Sequence, residues 1–199
     1  LPLIPQDDTD NIESEVLASV YGNVVEVWGY DAFNDEWMAH FPGWDAMDYA
    51  SAGLMELTDM VDGDGYLVSM NYPDILEGEG YEFPPEFATP PLEYSLAKGW
   101  NLIGFKTMDF NGDNLLDEQE AGWYLQNLLK CAGCEDVVGG EARFLRTYIC
   151  GYPGTNRPGG WEVLTDDGDM MKVGQAYWLY ASSDDLSIVP PIAPKPPAP

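Results

Sequence analysis

Between Asp109 and Glu120 the chain reads DFNGDNLLDEQE, with oxygen-bearing side chains at Asp109, Asn111, Asp113, Asp117 and Glu120. These fall at positions 1, 3, 5, 9 and 12 of a twelve-residue calcium loop. Calcium takes six to eight oxygen ligands, and such a loop delivers them at fixed places. Asp109, Asn111 and Asp113 would coordinate through side chains and Leu115 through its main-chain carbonyl. Asp117 would act directly or through water, and Glu120 would offer both carboxylate oxygens. Leu116 supplies the apolar anchor at position 8. Asn114 stands at position 6, where glycine is usual, and asparagine tolerates the left-handed conformation better than most residues. An acidic turn before a helix also gathers carboxylates, drawn by the helix dipole. Five matched ligand positions and the apolar eighth favour the metal. Calcium is therefore the expected cofactor. The remaining acidic clusters carry less: Asp59, Asp62 and Asp64 predict a Gly-Asp hairpin turn, and Asp166, Asp167 and Asp169 a turn. Asp7, Asp8 and Asp10 occupy the equivalent place in the first half without the ligand spacing.

The loop must be held by its neighbours. GWNLIGFKTM before it reads as a strand. After it, Ala121, Tyr124, Leu125, Leu128 and Leu129 form one apolar stripe at helical spacing, with Glu120 expected in that helix's first turn. In the first half, Ile12, Val16, Leu17 and Val20 make a similar stripe, with Asp10 and Glu13 at the spacing of a capping box. The other periodic segments are short, aromatic and β-branched, and are punctuated by Gly, Pro and Asp. The two halves also align in order. A helix, two strands, an acidic turn, a strand beginning at Gly65-Tyr66 or Ala176-Tyr177, and a Pro-ended segment occur in each. The expected fold is mainly β with one helix per unit. Residues 1–90 and 91–190 form two tandem units, the second holding a strand–loop–helix calcium site, and 191–199 form a Pro-rich extended tail.

GWNLIGF (Gly99 to Phe105), GQAYWLY (Gly174 to Tyr180), LPLIPQDDTD, VEVWGYDAFNDEW and DGDGYLVSM resemble the GWNLISLP, VWxYD and DGxGYWV motifs of a recurring extracellular module. That module occurs in archaeal and bacterial surface-layer and sheath-like proteins, and the resemblance spans residues 1 to about 190. It implies an extracellular, structural role. It also implies a first unit without its GWNLIS opening strand, and hence an open edge beginning at Leu1, with Leu1 to Pro5 beside it, to be filled by strand addition from a neighbour or by a strand lying upstream in the precursor. Asp185 to Val189 would be a candidate donor, and the prolines beyond it an arm across the next subunit. The calcium loop, lacking an entering helix, is similar to dockerin-like and EF-hand-like extracellular loops.

Charge narrows the partners. Against 35 Asp and Glu stand 8 Lys and Arg, a formal net charge of -27, so nucleic acid and anionic membrane surfaces would repel the chain and are poor partners. Cations, high salt or mere solubility would account for the carboxylates. No apolar run spans a bilayer, no signal-peptide pattern opens the chain, and its start at Leu1 reads as a processed or trimmed chain. His40, the single histidine, reads as structural. No nucleophile elbow or phosphate-cradling loop occurs, so catalytic residues are not expected and the chain reads as a non-enzyme. The expected function is a secreted calcium-binding component of a surface layer, sheath or filament, self-associating through a sheet edge and the Pro-rich tail. An adhesin or glycan-binding module, using Trp37, Trp44 and Trp161, is the alternative, and an accessory domain of a secreted hydrolase a third.

Cys131, Cys134 and Cys150 complete the picture. CAGC follows a helix instead of opening one, which removes the dipole that activates redox thiols, and a zinc site lacks its fourth ligand. A disulfide joining Cys150 to Cys131 or Cys134 is expected in an extracellular chain. Closing a loop of roughly 15 to 20 residues would contribute on the order of 3 kcal/mol. Non-reducing peptide mapping should find that bond; three free thiols would count against it and against secretion.

Overall fold

A computed structural model describes residues 4–5, 11–12, 16–61, 63–77, 80–81, 94–105, 107, 110–112, 117–126, 128, 142–149, 160–164, 168–181, 186–191 and 195–196. Its architecture is mainly β-sheet with two short helices. Strand β1 is Ile4–Pro5. In the first half, β2 (Val24–Asp31), β3 (Glu36–His40), β4 (Met55–Glu56) and β5 (Tyr66–Met70) form a sheet in the order β4-β3-β2-β5, and α1 spans Ala46–Ala52. β6 (Gly80–Tyr81) pairs with β1. β7 (Tyr94–Leu96) leads into β8 (Gly99–Gly104), then β9 (Gln119–Glu120) and α2 (Ala121–Tyr124). β10 (Ala142–Ile149), β11 (Gly160–Val163), β12 (Met170–Met171), β13 (Ala176–Ala181) and β14 (Leu186–Ile188) follow. The second large sheet runs β11-β10-β13-β8, and the small pairs are β12-β9 and β14-β7. Among the described residues no helix is long and apolar enough to cross a membrane.

The sheets repeat one another's detail. β3-β2-β5 and β11-β10-β13 have the same order and antiparallel pairing, each with a register shift, between Val24 and Glu26 in one and between Arg143 and Arg146 in the other. Before β5, Asp64 N–H donates to Val61 O at 3.2 Å, Gly63 turns at φ 95°, and Val61 N–H donates to the Tyr66 hydroxyl at 2.6 Å. Before β13 the same set recurs: Gln175 N–H to Lys172 O at 3.2 Å, Gly174 at φ 75°, and Lys172 N–H to the Tyr177 hydroxyl at 2.7 Å. Only glycine takes such a positive φ without strain, and the tyrosine hydroxyl satisfies an amide that the turn leaves unpaired. The turn expected at Asp64 is present but closes no hairpin, since β4 and β5 lie at opposite edges of the sheet; Asp62 lies outside the described residues.

Each sheet covers its own core. Ile12, Leu17, Val20, Val27, Leu57 and Met60 are buried together in the first half. Ile103, Phe105, Tyr124, Leu125, Met171, Tyr177 and Leu179 are buried together in the second. The stripe anticipated on α2 is fully buried at Ala121, Tyr124, Leu125 and Leu128, with Leu129 outside the described residues. In the first half the stripe is right but the helix is not an α-helix. Val16 N–H bonds to Asn11 O and Leu17 N–H to Ile12 O, a single turn with five-residue spacing. The β-branched Ile12, Val16 and Val20 crowd an α-helix and weaken it. Glu13 and Asp10 are outside the described residues. α1 was not anticipated. Asp45 caps it by accepting from Met47 and Asp48 N–H, Asp48 returns a bond to Asp45 N–H, and Gly53 closes it at φ 69°.

The halves meet at β8. Gly65 N–H donates to Leu102 O at 2.9 Å and Gly104 N–H to Gly63 O at 2.8 Å, so the segment entering β5 lies along the edge of β8 that β13 leaves free. A Cβ on Gly65 would lie 2.8 Å from Ala176 Cβ and 2.9 Å from Ile103 O. Gly65→Ala should therefore destabilise the protein by about 1–3 kcal/mol through forced backbone movement. Gly22→Ala, where a Cβ meets nothing within 4 Å, should cost far less. Urea melts of both variants check this, and equal midpoints would contradict the seam.

Candidate functional site

Three of the six expected calcium ligands are described: Asn111, Asp117 and Glu120; Asp109, Asp113 and Leu115 lie outside the described residues. Asp117 organises what is visible. Its Oδ2 accepts from Phe110 N–H at 2.8 Å, its Oδ1 from the Asn111 side-chain amide at 3.0 Å, and its carbonyl from the Thr107 hydroxyl at 2.6 Å. These bonds fold the loop back on itself and bring positions 3 and 9 together. The Asn111 side chain thus presents its amide nitrogen to Asp117. Gly112 takes φ 78°. Beneath them Gln119 is buried; its Nε2 donates to the Thr107 hydroxyl at 3.1 Å, and its Oε1 is buried without a hydrogen-bond partner.

Glu120 behaves differently from expectation. It is the N-cap of α2, with extended backbone (φ −63°, ψ 135°), and not part of the helix's first turn. The cause is the two-residue ladder of β9 with β12, which pairs Gln119 with Met171 and Glu120 with Met170 and keeps the chain extended up to Ala121. Its carboxylate forms an ion pair with Lys195 of the tail, at half-exposed side chains. Sequence could not foresee that partner, 75 residues away. Among the described residues no three His, Cys, Asp or Glu side chains gather as a metal cluster. The donor set of the loop consists of carboxylate, amide and carbonyl oxygens, a hard set that suits calcium, and the buried Gln119 Oε1 is an unsatisfied oxygen of the same kind beside it. By chemical type alone, the expected donors are of the class that calcium takes.

The expected open edge at Leu1 to Pro5 is closed at Ile4 and Pro5, which pair with Tyr81 and Gly80 of the same chain; Leu1 to Leu3 are outside the described residues. The expected strand donor is likewise engaged: Leu186, Ser187 and Ile188 pair with Leu96, Ser95 and Tyr94. Cys131, Cys134 and Cys150 lie outside the described residues. His40 is buried and hydrogen-bonded to the Tyr21 hydroxyl at 2.8 Å, the position of a structural side chain.

A second feature escaped sequence reading because it joins distant strands. Tyr180, Trp100, Trp178, Tyr30, Trp37, Trp28, Phe41, Trp44 and Tyr49 form one continuous string of ring contacts. Trp178 reaches across from β13 to Tyr30 and Trp37 on the other sheet, at centroid distances of 5.2 and 5.7 Å. Tilted and edge-to-face arrangements of this kind add to simple burial. Trp37 and Trp44 keep 41% and 40% of their surface exposed, enough for a ligand to reach one face. No protein-family model, curated protein or solved structure matches the chain.

Tyr30 anchors the string to the β2–β3 turn. Its hydroxyl donates to Asp35 Oδ1 at 2.5 Å, while Asp31 accepts from Phe33 N–H, Asn34 N–H and the Asn34 side chain. The Asn34 side-chain bond, ahead of the backbone bonds, holds the Asp31 carboxyl below its usual range. Burial first, and then the bond and charge of Asp35, push the Tyr30 phenol up to about 12. A raised phenol favours the protonated fold, so its contribution is complete below the usual value near 10 and is lost as pH climbs through 12. Asp35→Asn should return Tyr30 part of the way toward 10, burial keeping the rest; asparagine suits the φ of 57° at this site. Ring-carbon NMR titration reads the shift directly, and an unchanged midpoint would remove Asp35 from the account.

Proposed function

We propose that this chain is a secreted, calcium-binding structural module of a cell-surface layer, sheath or extracellular filament, built from two related β-rich units. The relation of the units is supported by the recurring turn, tyrosine and bulge geometry before and within the two sheets. Calcium is supported by one observation above the others: two residues at ligand spacing, Asn111 and Asp117, lie side by side between β8 and α2, with the Asp117 carboxylate also accepting from Phe110 N–H. Asp109, Asn111, Asp113, Asp117 and Glu120, with the Leu115 carbonyl, would hold the ion; when bound it supplies charge neutralisation and cross-links the loop. In a chain of net charge -27 that neutralisation lowers self-repulsion, which is what copies need in order to associate through sheet edges and the Pro-rich tail.

An adhesin that recognises glycans is the second reading, and the partly exposed Trp37 and Trp44 favour it. Aromatic faces stack on sugar rings. Negative-stain images with and without chelator separate the readings, since a structural module assembles and a glycan binder stays monomeric.

A ligand that binds only the folded state stabilises it by mass action, by about 2.7 kcal/mol at a hundred times its Kd. Chelation should therefore lower the Tm, and Glu120→Ala should abolish most of that dependence. Lys195→Ala should act oppositely. It frees the Glu120 carboxylate from an exposed pair worth well under about 1 kcal/mol, so calcium affinity should rise about twofold. Coincident melts with and without chelator would exclude calcium.

A further inference from the structure

The two large sheets differ at one edge. β13 is flanked by β10 on one side and β8 on the other, whereas β5 pairs with β2 and has no strand on its second edge among the described residues. The burial of corresponding residues shows what that costs. Leu179, in the middle of β13, is fully buried, while Val68 at the same place in β5 is 36% exposed; Ser69 is exposed and Met70 half-buried where Ala181 is fully buried. Exposed Val173, in the turn before β13, faces solvent as well.

β8 also shows how such a strand is seated. It pairs along β13 and bonds through its other edge to Gly63 and Gly65. By the correspondence of the two turns, a strand on β5 would reach the Gly174–Gln175 turn in the same way.

We propose that the edge of residues 67–70 is a strand-acceptor site, filled by an extended segment of a partner polypeptide that is apolar on both faces and flanked by Lys or Arg. The inference rests on the two units being related. The apolar character follows from the faces to be covered: Ile103 of β8 packs into the core while Trp100 lies on the aromatic string. The cationic flanks follow from charge. Residues 1–97 hold 21 of the 35 Asp and Glu and not one Lys or Arg, while β8 is bracketed by Lys98 and Lys106. Edge-to-edge pairing of two copies here would instead join two bodies that contain no cation. Backbone hydrogen bonds supply the affinity of such strand addition, and alternate side chains its specificity.

The probe is the synthetic peptide KGWNLIGFK, residues 98–106, added to the whole 199-residue chain and followed by amide hydrogen exchange. Saturating peptide should slow exchange at residues 67–70 about tenfold or more. A peptide N-methylated on its alternate ladder amides should bind at least about tenfold more weakly, since those amides carry the pairing. Val68→Glu in the protein should weaken binding comparably by placing an unpaired carboxylate at the edge. The amides of 67–70 that point away from β2 are the ones that report; their protection before peptide is added would overturn the proposal, because a second copy or the chain itself then covers the edge. Peptide that binds but leaves those amides unslowed, as it would by displacing β8 from β13, would overturn it too, and so would failure to bind. The Val61 and Lys172 amides report separately on the premise: both slow, as bonds to Tyr66 and Tyr177 demand, leaves the relation of the units standing even if the peptide fails.

Discussion

Gly65 meets β8 and β13 with no space for a methyl group, and the two backbone bonds beside it set the position of everything on either side. A strand cannot lie that close to another chain unless the residue at the crossing has no Cβ. Once the approach is made, β5 must leave along its own sheet, and Trp178 is brought within ring contact of Tyr30 and Trp37. The aromatic string is thus a consequence of the glycine contact. It converts a crossing of a few backbone atoms into a broad apolar seam between two cores that are otherwise separate.

Charge has to be managed around that seam. The first half folds without a single Lys or Arg, so no ion pair to those side chains is possible within it. Its carboxylates work as acceptors for backbone N–H groups instead. Asp45 and Asp48 cap α1, Asp31 closes the β2–β3 turn, and Asp74 accepts from Ile75 N–H. Charge-assisted bonds of this sort are local, strong and compatible with a negative surface. They leave the net repulsion in place, and that is the opening for cations or for a cationic partner.

Much of the strand order was readable because alternation and β-branched composition are local signals. Val24–Asp31, Tyr66–Met70, Gly99–Gly104 and Ala176–Ala181 were each anticipated as strands from a few residues. The apolar stripe of α2 was equally plain. α1 was missed although Asp45, Asp48 and Gly53 spelled its start and stop, since only Tyr49 of its seven residues is buried and it has no stripe. Asn111 and Asp117, singled out by their spacing, do lie together, bonded to each other. The place of Glu120 was not legible, because its backbone is governed by Met170 and its carboxylate by Lys195, both remote in sequence. Pairings across long separations leave no local trace.

The Glu120–Lys195 pair gives the loop and the tail a common residue. An ion that takes both Glu120 oxygens would compete with the ammonium of Lys195 for the same lone pairs. Because the pair is largely solvated, it opposes such an ion only weakly, while the tail loses a fixed point beyond β14. β14 itself stays paired to β7, so release would free the segment after Ile188 and not the strand. If the loop holds the proposed ion, its occupancy and the Lys195 contact would be coupled through one carboxylate, so that filling the first would release the second.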